Sequence, residues 1–435
     1  MMDLSPLQIG TIGSVLMITL CLLGMRIAFA TALVGAFGLT VMIGWDPGMR
    51  TAGIIPHASV VNYNLSVLPM FILIGYLAYY AGITQAAFEA ARRWFGWLPG
   101  GLAIATVYAV AGFSAVSGAN TAAAAVFAKV AIPEMLKAQY DRRLAAGVVA
   151  AGATLDSLIP PSALLVVYGI ITEQSIGKLL VAGFVPGLVS ALVYTGIIYG
   201  LCKAKPEMVR PITGYTWGQR FASLPGTFPI FLVVGIILTS MMYGWATPTE
   251  AGALGAFCVF VIALFHGMRT KELYSTLLDT AKLTAMIFTV IWGVQIFVRF
   301  LGFAGLPEAL ASWVTGLQVP PIVVLLMIYA LYLFLGTILE GIGMFLLTLP
   351  VVFPVIEALG YDPIWFGIIL VKLNGIATLS PPVGLVVFVV NGVRPDIPVR
   401  DIFRGIWPFI FADIITIAIL TAFPEIVTFI VNAAE

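Results

Sequence analysis

Apolar residues run in long blocks along this chain of 435 residues, and polar residues are confined to the gaps between them. A block of about 20 apolar residues is long enough to cross a bilayer as a helix. Ten such spans fall at about 7–24, 27–44, 57–80, 144–171, 178–201, 226–243, 250–266, 282–302, 364–392 and 405–423. Two more apolar regions are interrupted at their middles by small and polar residues. Region 98–136 carries SAVSGANT at Ser114–Thr121, and region 319–359 carries GTILEGIG at Gly336–Gly343. Each half is short for a crossing, so both regions are expected to form re-entrant helical hairpins. Two crossing helices with a tight turn are the alternative.

Two spans contain a break. GATLDSLIPPSALLVVY, Gly152–Tyr168, holds Thr154, Asp156, Ser157, Pro160-Pro161 and Ser162 where a plain membrane helix would hold Leu and Val. NGIATLSPPVGLVVF, Asn374–Phe388, holds Thr378, Ser380 and Pro381-Pro382. Proline has no N–H and clashes with the preceding turn, so a pair of prolines stops the helical ladder. Backbone carbonyls freed at bilayer depth are tolerated only where protein buries them or a polar cavity receives them. Paired broken helices in corresponding halves are the sequence pointer to the site of a secondary transporter.

The halves repeat. The Pro-Pro pairs are 221 residues apart, as are Pro133 and Pro354, and Tyr140-Asp141 and Tyr361-Asp362; Gly35-Ala36-Phe37 recurs at Gly255-Ala256-Phe257. Matches in order at nearly one offset argue for duplication. The expected organisation is a first repeat at 1–201 with an arm helix at 84–97, hairpin 98–136 and broken helix 144–171. A cytoplasmic linker follows at 202–225. A second repeat occupies 226–435, with an arm helix at 306–316, hairpin 319–359 and broken helix 364–392. An odd number of crossings per copy inverts the second. The fold class expected is an all-α polytopic membrane protein, with ten transmembrane helices and two re-entrant hairpins in two inverted repeats.

Composition fixes the class. The chain is 61% hydrophobic and 9% charged, against about 25% charged in a soluble domain. A net charge of +1 gives no reason to expect nucleic acid. The N-terminus has an acid and no base before its apolar run, so a retained first span is expected rather than a cleaved signal. Cys21, Cys202 and Cys258 follow no metal or redox spacing and are expected to be buried small hydrophobes. With the N-terminus outside, 16 of the 21 Lys and Arg fall on the cytoplasmic side and only Arg50, Lys178 and Arg299 outside. That asymmetry follows the positive-inside rule.

The chemistry available is that of a carrier. No nucleophile–base pair and no phosphate-binding lysine loop is visible, so neither an enzyme nor ATP hydrolysis is expected. A hard cation such as Na⁺ needs several uncharged oxygens. One candidate set is Ser117, Gly118 and Asn120 facing Gly152, Thr154 and Pro160. The symmetric set is Gly336, Thr337 and Gly341 facing Thr378, Ser380 and Pro381. The same small residues also suit close helix packing. Substrate contacts are expected from Asn120, Asp156, Ser157, Ser162, Glu340 and Asn374, with no metal other than Na⁺. Asp156 and Glu340 are expected to be the only acids within the core, where buried acids are costly and functional. Lys129 and Lys372 lie in apolar segments, as anion contacts, snorkelling side chains or members of structural ion pairs. Helix starts near Asn120 and Gly343 would turn positive dipole ends toward an anionic substrate.

Several stretches resemble a known family: SGANTAAAAVFAKVAIPEM, YDRRLAAGVVAAGATLDSLIPPSALLVVYGIITEQSIGKLLVAGFVPGL, WATPTEAGALGAF and SPPVGLVVF. They are similar to the large membrane subunit of the tripartite ATP-independent periplasmic (TRAP) transporters, the DctM-like family, over essentially the whole chain. The resemblance implies Na⁺-coupled uptake of an organic acid across the bacterial inner membrane by an elevator motion. It implies a periplasmic substrate-binding protein and a small four-span membrane subunit as partners, the latter not fused to this chain. Carried over, the Na⁺ sites fall on Ser117, Asn120, Gly152 and Pro160, and on Gly336, Thr337, Thr378 and Ser380. The family usually has a more serine-rich first tip than Ala119 and Thr121 give here, Asp where Glu340 stands, and Thr where Ser380 stands. A stand-alone Na⁺- or H⁺-coupled organic anion symporter is the alternative.

Overall fold

The computed structural model describes residues 5–433 apart from 62, 81–82, 118–119, 210–213, 317–318 and 338. Every regular element among the described residues is a helix, with no strand among them. Among the described residues, six helical stretches are long and apolar enough to cross a membrane: Ile176–Ala204, Trp217–Met242, Pro248–Phe265, Thr270–Ala304, Gly341–Ala358 and Val399–Ala422. Shorter apolar helices, among them Ile27–Ile43, Gly101–Ser114 and Pro363–Leu379, accompany them.

The element order repeats. Short helices Ile83–Phe95 and Leu306–Gly316 occupy the expected arm positions. Each precedes two apolar helices separated by a few residues, Gly101–Ser117 with Asn120–Lys137 and Pro321–Gly336 with Gly341–Ala358. Each pair is clasped by aromatic edges. Phe113 meets Phe127 at 5.9 Å between centroids, and Tyr332 meets Phe345 at 6.3 Å. The hydroxyls of Thr348 and Tyr332 add a 2.6 Å hydrogen bond to the second clasp.

Next comes a broken helix. The first runs Arg142–Ala153, tightens into a 3₁₀ turn at Thr154–Ser157, and resumes at Ala163–Thr172. The second runs Pro363–Leu379 and resumes at Leu385–Val393. The repeated Tyr-Asp pair shows its purpose here. The Asp141 carboxylate accepts from Arg143 N at 2.7 Å, and the Asp362 carboxylate accepts from Trp365 N at 2.7 Å. Each aspartate satisfies backbone donors that a helix start leaves unpaired. Both Pro-Pro peptide bonds are cis. At the second break, Gly384 takes the left-handed conformation, φ 59°, which costs a glycine little.

Helix crossings are made close by glycine. A Cβ at Gly405 would run into the Arg143 carbonyl, and one at Gly147 into the Gly405 carbonyl. The helices Arg142–Ala153 and Val399–Ala422 therefore meet backbone to backbone. Arg142 and Arg143 pair with the buried Asp401 beside this crossing, at 2.6 and 3.3 Å. Helices Ile27–Ile43 and Thr270–Ala304 meet in the same way, where a Cβ on Gly35 would lie 2.7 Å from the Phe297 backbone. Small residues that let backbones approach are how membrane helices gain packing without a hydrophobic drive between them.

The structure corrects several boundaries. Residues 45–56 fall outside every expected span, yet Trp45–Val61 is a helix with Pro56 inside it. The span expected at 282–302 begins twelve residues earlier, as Thr270–Ala304: its polar first third continues the helix, with Thr276 and Thr280 buried. The span expected at 405–423 starts at Val399, and a further helix follows at Glu425–Ala433. Within the linker, Trp217–Phe221 forms a short helix with a Thr216/Gln219 capping box.

Candidate functional site

A cavity of about 450 Å³ lies between the hairpins, the two breaks and helices Val67–Tyr80 and Thr270–Ala304. Its lining includes Asn120 from the start of the first hairpin's second helix. Asp156, Ser157 and Ser162 come from the first break, Glu340 and Gly341 from the second hairpin's tip, and Asn374 and Thr378 from the second broken helix. The six residues expected to contact substrate thus border one space.

Each break is held by side chains bonding to its own backbone. Thr154 Oγ1 donates to Ala151 O at 2.8 Å, and Ser162 Oγ donates to Ser157 O at 2.6 Å. Ser162 also caps the resuming helix, accepting from Leu165 N at 3.4 Å. In the second break Thr378 Oγ1 donates to Gly375 O at 2.9 Å, and Ser380 Oγ donates to Ile376 O at 2.8 Å. These hydroxyl oxygens keep lone pairs for a further partner.

The two broken helices touch. A Cβ on Gly375 would sit 3.3 Å from Thr154 Cβ. The second hairpin tip also presses on its broken helix: a Cβ on Gly336 would lie 2.6 Å from Ala377 Cβ, and one on Gly341 2.7 Å from Asn374 Oδ1. Gly336 and Gly341 of the second candidate set are therefore packed on the stretch Asn374–Ala377 that leads into Thr378. Thr337 caps the hairpin's first helix, its hydroxyl donating to Phe334 O at 2.7 Å. Of the first set, Thr154 is buried. Gly152 packs against the first hairpin, where a Cβ added to it would lie 3.5 Å from Val110 Cβ. Ser117 closes the helix before the first tip, and Gly118 lies outside the described residues. Gly152, Thr154, Pro160, Gly336, Thr337, Ser380 and Pro381 do not line the cavity itself.

Two expectations need correction. The helix start at the second tip does not present a vacant anion position. The Glu340 carboxylate occupies it, accepting from Gly343 N at 3.3 Å as the N-cap of Gly341–Ala358. Nor are Asp156 and Glu340 the only acids in the core. Asp413 of helix Val399–Ala422 is fully buried. Its partner is Lys372, whose Nζ lies 2.5 Å from Asp413 Oδ1 and donates to Ser190 Oγ at 2.6 Å. The same ammonium sits 5.2 Å from the centre of the Tyr194 ring, whose hydroxyl lies 3.4 Å from Thr154 Oγ1. Lys372 is neither a cavity contact nor at an interface, while Lys129 lines the cavity. The signal for this network was a lone aspartate inside an apolar block that also needed a lone lysine inside another.

On the cytoplasmic side expected for the linker, the arm helix is tied to both neighbours. Arg92 donates to Tyr215 Oη at 3.0 and 2.7 Å and to Glu134 Oε2 at 3.0 Å. Trp94 Nε1 donates to Arg220 O at 3.2 Å.

Comparison with known proteins fits this arrangement. Residues 14–426 match the family "Tripartite ATP-independent periplasmic transporter, DctM component". The C4-dicarboxylate TRAP transporter large permease protein DctM of Pseudomonas aeruginosa is 34% identical over 392 residues, covering 89% of this chain and 91% of that protein. The sialic acid TRAP transporter large permease protein SiaM of Vibrio cholerae is 33% identical, over 84% of this chain and 85% of that protein. The ectoine TRAP transporter large permease protein TeaC of Halomonas elongata is 29% identical, over 98% and 99%. Among solved structures, the Alcanivorax borkumensis YdaH transporter shares the fold, with TM-score 0.62, 13% identity and coverage of 95% and 98%. The chain belongs to the DctM family: it is a large permease subunit of a TRAP transporter and a multi-pass protein of the inner membrane.

Proposed function

We propose that this chain is the translocation subunit of a Na⁺-coupled TRAP system that imports a small organic acid. The observation that carries the reading is the convergence of both Pro-Pro breaks and both hairpins on one cavity. Broken helices at the midplane offer backbone carbonyls to a cation. The uncharged oxygens of Thr154, Thr378 and Ser380, with the carbonyls around them, suit Na⁺ better than H⁺, which needs a titrating base.

In this reading the two copies are inverted. The hairpins, broken helices and helices Ile176–Ala204 and Val399–Ala422 form a unit that moves as an elevator against the remaining helices. The arms Ile83–Phe95 and Leu306–Gly316 brace it. A periplasmic binding protein hands the acid to the cavity, and a small four-span subunit stands beside the chain in the bilayer. The relatives named for C4-dicarboxylate, sialic acid and ectoine transport support an organic acid as the substrate class.

The test is reconstitution in liposomes. With the binding protein and the small subunit present, an inward Na⁺ gradient should drive accumulation of the acid that the binding protein carries. Comparable uptake by this chain alone would favour a stand-alone symporter. Uptake driven by a pH gradient without Na⁺ would contradict Na⁺ coupling.

A further inference from the structure

The cavity's charge pattern narrows the substrate. Among its described lining residues Lys129 is the one cation, and Asp156, Glu340 and Asp279 are the acids. Each of these acids already has an interaction of its own. Glu340 caps its own helix, and Asp279 faces Lys282 at 3.9 Å. Lys129 is exposed within the cavity, and among the described residues no carboxylate lies within ion-pair distance of it. Most of the remaining wall is apolar, including Phe71, Phe113, Leu164, Met286 and Ile287.

Lys129 stands nine residues beyond Asn120 on one helix, about 13 Å along its axis at 1.5 Å per residue. A lysine side chain on a helix leans back toward the helix start, which is here the tip. A bound molecule therefore has one cationic contact, Lys129 on that helix, with the carboxylates of Asp156 and Glu340 on the first break and the second tip of the same chamber. A second carboxylate on the substrate would face Asp156 and Glu340, and like charges at close range disfavour binding. A polyol hydroxyl set against Phe71, Phe113 or Ile287, rather than against the polar lining at Asn120, Ser157, Ser162, Asn374 and Thr378, would be left unpaired, which costs binding energy.

We infer that the cavity takes a monocarboxylate with an apolar body, its carboxylate on Lys129. This rests on the transport reading above and names the substrate class of that same cavity.

The test uses the full chain in lipid nanodiscs, with phenylacetate, succinate and N-acetylneuraminate as probes, each titrated with and without Na⁺. Phenylacetate should bind most tightly and in a Na⁺-dependent way. Lys129→Gln should weaken phenylacetate by roughly ten-fold or more, the worth of one hydrogen bond to a charged group. Lys129→Arg should recover most of that loss. Thermal unfolding without ligand shows whether either variant folds. Tighter Na⁺-dependent binding of succinate or N-acetylneuraminate, no binding of phenylacetate, or unchanged affinity in a folded Lys129→Gln overturns the assignment and leaves the transport reading standing. Binding that ignores Na⁺ for every probe counts against the transport reading instead.

Discussion

Lys372 Nζ lies 2.5 Å from Asp413 Oδ1, with the side chains 1% and 0% exposed. The pair joins the second broken helix to helix Val399–Ala422, and through Ser190 and Tyr194 it reaches helix Ile176–Ala204 and the first break. Removing one partner leaves the other charge buried and alone, which costs about 3–5 kcal/mol. Replacing both with apolar residues of similar size removes the desolvation cost as well as the attraction. Lys372→Met should lower the unfolding midpoint of the detergent-solubilised protein strongly. Lys372→Met combined with Asp413→Leu should recover much of the loss. Equal losses in the single and double variants would show that the pair is not a closed electrostatic unit.

The glycine crossing of helices Arg142–Ala153 and Val399–Ala422 gives a second prediction. A methyl at Gly405 meets the Arg143 backbone, which no rotamer change relieves. Gly405→Ala should cost about 1–3 kcal/mol, as overpacking does, with further loss as Arg142 and Arg143 separate from Asp401. Gly200 lies in helix Ile176–Ala204 with no atom within 4 Å of a Cβ added there. Gly200→Ala should be neutral or stabilising by about 0.5–1 kcal/mol. Unfolding midpoints of the two variants decide the point, and a tolerated Gly405→Ala would contradict the close crossing.

Much of this was legible in the sequence, and the reasons are local. The hairpins and breaks announced themselves because Gly, Ser and Pro-Pro interrupt apolar blocks at positions where backbone geometry demands it. The Tyr-Asp repeat was legible as a duplication, while its role as an aspartate N-cap came from the structure. Trp45–Val61 was illegible because Asp46, Arg50 and Pro56 break its apolar period. The Lys372–Asp413 pair was legible only as an ion-pair reading of Lys372, and its partner was hidden for a different reason. Its members lie 41 positions apart on separate helices, and only packing in three dimensions shows which buried charge meets which. The occupied helix start at Glu340 likewise needed the geometry, since the same residue reads equally as a substrate contact.

Topology is tested at the linker. Glu207 is exposed in the turn Pro206–Met208, on the cytoplasmic side in the proposed arrangement. In a background lacking Cys21, Cys202 and Cys258, Glu207→Cys should react with an impermeant thiol reagent only after the membrane is opened. Labelling in intact spheroplasts would reverse the orientation of both repeats.

The arm contacts give a fourth prediction. Tyr215 accepts two hydrogen bonds from Arg92, which also holds Glu134 of the first hairpin. Tyr215→Phe removes the acceptor while keeping the ring, and should cost about 0.5–1.5 kcal/mol. Protease digestion of membranes opened to the cytoplasmic side should cut the linker faster in this variant. An unchanged digestion rate would mean that the arm does not secure the linker.

Na⁺ coupling through the two breaks is the central claim, and the Na⁺ dependence of uptake by the complete reconstituted transporter tests it most directly. The dependence should be steep, with a Hill coefficient above one, since one candidate site lies at each break. Asn120→Ala removes an oxygen at the first, and Thr378→Val removes one at the second with little change of shape. Each lost contact to a cation is worth roughly 1.5–3 kcal/mol, so apparent Na⁺ affinity should fall by about ten-fold or more, with acid binding by the periplasmic partner unchanged. Unaltered Na⁺ affinity in both folded variants, or full uptake without Na⁺ that Asp156→Asn abolishes, would contradict the account.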